Sequence, residues 1–124
     1  MKKIQSEKVP PPGGHYSQAI VHNETIYVSG LLPLRIGKAP DPSMPFREQV
    51  LLVLNNLGAI LRKAGSSPDK VLKVSVFVSD IDNWPEVNEV YKSFFGDHKP
   101  ARIVVPVKEL HFGFGIELDA IAAV

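Results

Sequence analysis

Two stretches decide the fold: Lys99-Pro100-Ala101-Arg102-Ile103-Val104-Val105 and Gly115-Ile116-Glu117-Leu118-Asp119-Ala120-Ile121. Both read as β-strands, because β-branched and aliphatic residues dominate and Pro or Gly bounds each on its N-terminal side. Each also carries a charge inside an otherwise apolar run. Burying a lone guanidinium or a lone carboxylate is costly, so Arg102 and Glu117 are expected to meet at one end of a sheet. There they would form a small polar site with a fixed cation and a base. The rest of the chain reads as the scaffold around that pair.

Working outward, residues 2–8 alternate weakly and suit a short edge strand. Val9-Pro10-Pro11-Pro12-Gly13-Gly14 then forms a shaped loop, since three prolines remove backbone donors and two glycines permit unusual dihedrals. Strands over 17–21 and 25–29 are joined at His22-Asn23-Glu24, a tight hairpin signal, and 31–42 reads as loop. Val50, Val53, Leu54, Leu57, Ile60, Leu61 and Ala64 recur at helical spacing. Ser43 is the expected N-cap of that helix, with Pro45 in its first turn and Gly65 as its stop. Arg47, Glu48, Asn55, Arg62 and Lys63 fall on its other face. In the strand over 71–79, Leu72, Val74, Val76 and Val78 are expected to share the buried face. A second helix starts with Asn83 as cap and Glu86 three residues on, buries Val87, Val90, Tyr91 and Phe94, and ends at Gly96.

The order of elements predicts one α+β domain over residues 1–124. Right-handed crossovers place both helices on one face of a single mixed sheet. Phe77, Ile103, Val105, Val107 and Ile121 then point to the other face with nothing to cover them. A sheet apolar on both sides with helices on one expects a partner, most simply further copies of itself in a closed ring.

Composition narrows the function. With 44% hydrophobic and 22% charged residues the chain is globular rather than disordered. A net charge of +1, from 14 basic and 13 acidic residues, gives no electrostatic case for nucleic acid. There is no cysteine, which excludes disulfides and thiolate chemistry. The four histidines lack metal-ligand spacing, and of them His15, beside Tyr16, is the one singled out for chemistry. No stretch approaches the roughly 20 apolar residues of a membrane span, and no apolar run follows Lys2-Lys3 as a signal peptide requires. A soluble cytoplasmic protein is expected. Gly113-Phe114-Gly115 reads as a turn, too short for a nucleotide loop.

Taken together, Tyr16-Ser17-Gln18-Ala19, Val28-Ser29-Gly30, Ala64-Gly65-Ser66-Ser67, Val87-Asn88-Glu89-Val90-Tyr91, Phe95-Gly96, Lys99-Pro100-Ala101-Arg102 and the run 117–122 resemble the RidA/YjgF family of enamine/imine deaminases. The resemblance spans nearly the whole chain. It implies a chorismate-mutase-like α+β fold and a homotrimer with sites in the clefts between subunits. The implied reaction is hydrolysis of 2-iminobutanoate and 2-iminopropanoate to 2-keto acids and ammonia, with no metal or organic cofactor. On this resemblance Arg102 matches the carboxylate-binding arginine and Glu117 the glutamate that positions water, while Tyr16, Ser29, Gly30 and Asn88 match the substrate-binding lining.

Departures from the family pattern are His15 for a proline, Leu31 for a glutamine, Ile103 and Val104 for a small polar residue and a cysteine, and an unusually apolar tail, Leu110-His111-Phe112-Gly113-Phe114. They make for a drier cleft, and the tail is placed to close over it. Rival readings stand beside this one. Composition alone favours an Arg102–Glu117 pair that is merely structural. The same arginine also suits a non-catalytic module binding 2-keto acids. An endoribonuclease or translation inhibitor fits less well, because no basic, aromatic stripe is present.

Overall fold

Runs of β-branched residues form the strands, and two helical stripes cover one side of the sheet they build. The computed structural model describes residues 1–124. In chain order the elements are β1 (Lys2–Ile4), β2 (Ala19–His22), β3 (Thr25–Leu31), α1 (Phe46–Lys63), β4 (Val71–Val78), α2 (Trp84–Phe95), β5 (Ala101–Pro106) and β6 (Ile116–Ala123). The six strands form one sheet in the order β1-β2-β3-β6-β4-β5. Only β4 and β5 run parallel, joined across α2. The core lies between this sheet and the two helices, with Val53, Leu54, Leu57, Val74, Val76 and Leu118 at its centre. No helix is long and apolar enough to cross a membrane.

The β2–β3 hairpin turns on Asn23 and Glu24, with His22 paired to Thr25. Both turn residues have positive φ, 49° and 61°, the mirror-image geometry that matches strand twist and ordinarily takes Gly second. The strand after the turn runs on to Leu31, two residues beyond the expected end, so Leu31 is sheet rather than loop. Helix α1 ends as expected at Gly65 (φ 82°). The Ser66 N–H bonds the Leu61 carbonyl at 2.8 Å and the Gly65 N–H bonds that of Arg62 at 3.0 Å, which closes the helix in a Schellman motif.

Three expectations need correction. Ser43 does not cap α1; Pro45 holds that position, and the Ser43 hydroxyl is taken by Asp41. The start is organised from inside instead. Buried Gln49 donates to the carbonyls of Pro42 and Met44 and accepts from the Gly115 N–H at 2.8 Å. Asn83 likewise makes no capping bond, because it already lies in a turn (φ −81°, ψ −5°) that begins at Asp80. Finally, Leu72 is not on the buried face of β4. Val71 pairs with Ala122 and Lys73 with Ile121, so Leu72 is the extra residue of a β-bulge. It is 52% exposed, whereas Val71 is fully buried.

The open face is as expected. Register puts Tyr27, Phe77, Ile103, Val105 and Ile121 on the side away from the helices, and Tyr27 and Ile103 are about half exposed, at 49% and 51%. Val107 lies just past β5, its N–H bonded to the Val78 carbonyl.

Candidate functional site

Arg102 pairs with Val74, and Val74 faces the core; the arginine therefore points to the helix side, from the edge strand. Three residues of α2 receive it. Trp84, Asn88 and Tyr91 follow one another at spacings of four and three, which stacks them on one stripe of the helix. The guanidinium carbon lies 5.2 Å from the Trp84 ring centroid and 4.8 Å from that of Tyr91. Its Nη1 donates to Asn88 Oδ1 at 3.1 Å. Each cation–π contact contributes on the order of 0.5–1 kcal/mol at a partly exposed site. The two ion pairs of the chain, Arg35–Asp41 and Arg47–Glu89, lie elsewhere. Arg102 thus spends one of its five donors on the protein, leaving the rest of a pre-aimed fork for an anion. It opens on a groove of about 630 Å³ shared with Lys92, His98 and Lys99. Burial pushes the Tyr91 hydroxyl up to about 12, against the nearby Arg102 cation, and its oxygen has no hydrogen-bond partner.

Glu117 sits elsewhere. It pairs with Phe77, one step out of phase with Val74 and Val76, and so points to the open face. Between its strand and that of Arg102 runs β4. Two strand spacings of ~4.8 Å and three rungs of ~3.3 Å separate the two backbones by about 14 Å, and the side chains leave opposite faces. The expected meeting of Arg102 with Glu117 does not occur within one chain, nor does the structural ion pair between them. The reason is parity: Val74 and Phe77 are an odd number of residues apart, so their partners face opposite ways.

Glu117 has its own company. Ser29 and Gly30 together oppose Asp119, since Val28 pairs with Ala120 and Leu31 with Leu118. This second bulge brings the glycine under the carboxylate. A Cβ on Gly30 would come within 2.7 Å of Glu117 Oε2, so only glycine lets the group lie there. Ser29 is fixed by donating its hydroxyl to the Ser17 carbonyl at 2.6 Å and its N–H to that of Gln18 at 3.0 Å. Buried Gln18 in turn ties down the proline loop through Ser6 and Pro10. Above the bulge lies a pocket of about 310 Å³ lined by Tyr16, Ser29, Gly30, Leu31, His111 and Phe112, among others. Burial and the neighbouring Asp119 charge raise the pKa of Glu117, and His111 opposes that rise.

The candidate residues thus fall into two groups: Tyr16, Ser29, Gly30 and Glu117 around the bulge, Asn88 and Arg102 on α2 and β5. The histidine near the carboxylate is His111; His15 is exposed and lines no part of the pocket. Trp84 and Tyr91 were legible in the spacing from Trp84 to Tyr91, had Arg102 been given its helix-side parity.

Residues 6–124 match the model of a family described as endoribonuclease L-PSP. A RutC family protein from Pyrococcus abyssi is 40% identical over 119 residues, 96% of this chain and 94% of that one. A 2-iminobutanoate/2-iminopropanoate deaminase from Rattus norvegicus is 39% identical over 125 residues, 98% of this chain and 88% of that one. The crystal structure of E. coli TdcF with bound serine has a TM-score of 0.91 at 32% identity, covering 100% of this chain and 99% of that one.

Proposed function

Because the chain belongs to the RidA/YjgF family, whose model is described as endoribonuclease L-PSP, we propose that it is a homotrimeric 2-imino acid deaminase whose site is shared between copies. The observation that carries this reading is the separation of Arg102 from Glu117 on opposite faces of one sheet. Neither group alone both holds and hydrolyses an imino acid. An open apolar face and an edge strand carrying the arginine are what a neighbouring copy needs to bring the two groups together.

In this reading the Arg102 fork grips the substrate carboxylate with two charge-assisted bonds. Glu117 of the neighbouring copy takes a proton from water as its oxygen bonds to the imine carbon. Glu117 hands that proton to nitrogen and takes the proton of the new hydroxyl as the C–N bond breaks; a 2-keto acid and ammonia leave, and the proton on Glu117 returns to solvent. A protonated imine is already electrophilic, so orientation with modest acid–base help suffices. A net charge of +1 lends no support to a ribonuclease activity. Ammonia release separates catalysis from mere carboxylate binding.

The test is complementation. Arg102→Ala and Glu117→Gln are each expected to be inactive toward 2-iminobutanoate generated by a threonine dehydratase. Co-expressed at equal levels, they place an intact arginine against an intact glutamate at about one interface in four, by random assortment in a closed ring. About a quarter of wild-type activity is therefore expected to return. No recovery in a verified mixed oligomer refutes a site shared in this way.

A further inference from the structure

We propose that the pocket over the Ser29–Gly30 bulge, which shares Gly30 with the surroundings of Glu117, selects 2-imino acids with aromatic or large apolar side chains, and that the stacked rings of His111 and Phe112 form the wall that recognises them. This deepens the deaminase reading and rests on it. Size is the first argument. The pocket holds about 310 Å³, and one water takes roughly 30 Å³ of liquid. The six heavy atoms of 2-iminopropanoate, counted generously at one water's volume apiece, fill at most ~180 Å³ on that scale. More than a third of the space stays empty around the smallest substrate.

The lining says what fills it. Val9, Pro12, Leu31 and Leu34 line the pocket along with Phe112, and its polar members Gln18, Ser29 and Asn56 already donate to backbone carbonyls, so an added hydroxyl or charge finds few free partners there. The wall itself is flat. The His111 and Phe112 rings stack at 3.9 Å between centroids with planes 5° apart. Phe112 is 45% exposed, a large apolar ring at the pocket's mouth. Its backbone is left-handed (φ 63°, ψ 7°), a conformation a bulky residue holds only under constraint. The constraint comes from below, where Phe114 is 1% exposed and meets Phe112 edge-on at 6.1 Å. An exposed ring held against strain, facing this pocket, offers a stacking surface to a side chain that reaches it.

Two measurements on the full-length protein test this. The first compares kcat/KM for the imines that an amino-acid oxidase generates from phenylalanine, leucine and alanine. Wild type is expected to favour the phenylalanine imine over the alanine imine at least tenfold. Phe112→Gly, which suits a positive φ and keeps the backbone relaxed, is expected to lower that ratio about tenfold, and His111→Ala by a smaller factor. The second is calorimetric binding of phenylpyruvate against pyruvate, which needs no catalysis. A phenylpyruvate preference that Phe112→Gly removes supports the wall even if no imine is hydrolysed, in which case the deaminase reading alone falls. Equal binding of the two keto acids, no binding of either, or a ratio unmoved by Phe112→Gly overturns it.

Discussion

Gly30→Ala isolates the position of one carboxylate from the stability of the fold. Gly30 is not among the positive-φ residues, so alanine meets no backbone strain there. The added Cβ would stand 2.7 Å from Glu117 Oε2, and ordinary contact begins at 3.4 Å. The carboxylate must therefore retreat by at least the difference, 0.7 Å. It is the free end of a flexible, half-buried side chain, so the retreat costs the fold little. Alanine also narrows the unfolded ensemble, worth ~0.4–1 kcal/mol of stability. The melting temperature is expected to hold or rise by a few degrees. Turnover is another matter. A misplacement near 1 Å costs on the order of 100-fold, so a 10- to 100-fold loss of kcat is expected, about 1.4–2.7 kcal/mol of barrier. The assay is ammonia release from 2-iminobutanoate alongside a thermal melt. Gly30→Ala with wild-type turnover, or with a loss matched by a fall in melting temperature, refutes the reasoning.

Arg102→Lys keeps a cation but loses the planar fork and its stacking on Trp84 and Tyr91. It should lose roughly 2–4 kcal/mol of transition-state binding, with the lost stacking lowering the melting temperature by a few degrees, and a kcat/KM within threefold of wild type refutes the fork. With the Glu117 pKa raised, the acid limb of kcat/KM should lie above the ordinary carboxylate value. His111→Ala, which removes an opposing positive charge, should move that limb to still higher pH, and a shift to lower pH contradicts the assignment. The same raised pKa makes the folded state hold the proton longer than the unfolded chain. Stability should then fall as pH rises from the ordinary value through the folded one, a slope absent in Glu117→Gln melts. Tyr91→Phe removes a buried hydroxyl that has no partner and should stabilise by ~1 kcal/mol, raising the melting temperature by about 3–5 °C. A lower melting temperature means that the hydroxyl is bonded after all.

The elements were largely legible because their signals are local. The stripe from Val50 to Ala64, the stop at Gly65 and the turn at Asn23-Glu24 each depend on a few neighbouring residues. What escaped depends on register. Leu72 and Val71 differ by one position, and only pairing with β6 decides which is the extra residue. The same holds for Arg102 and Glu117, whose faces follow from strand pairings that no local pattern contains. Expecting the two charges to meet assumed that buried charges pair within their own chain, and the sheet's alternation forbids it here. Ser43 and Asn83 have the chemistry of caps, but Gln49, anchored across the fold to Gly115, and Asp80, which caps the turn before α2, take that role. His111 stands in an unusually apolar tail, yet its approach to Glu117 comes from the turn that Gly113 allows (φ 80°), a three-dimensional fact.

The strand order has a consequence for how the protein is made. The last strand in the sequence, β6, lies between β3 and β4 and joins the two halves of the sheet. Until it emerges from the ribosome, β3 and β4 each present an unpaired edge of seven or eight residues, the kind of surface that recruits stray strands. Folding cannot proceed piecemeal from the N-terminus, and the nascent chain must wait, open-edged, for its final segment. Deleting that segment therefore does not fray one margin of the molecule; it withdraws the seam between two half-sheets, and with it the strand that carries Glu117.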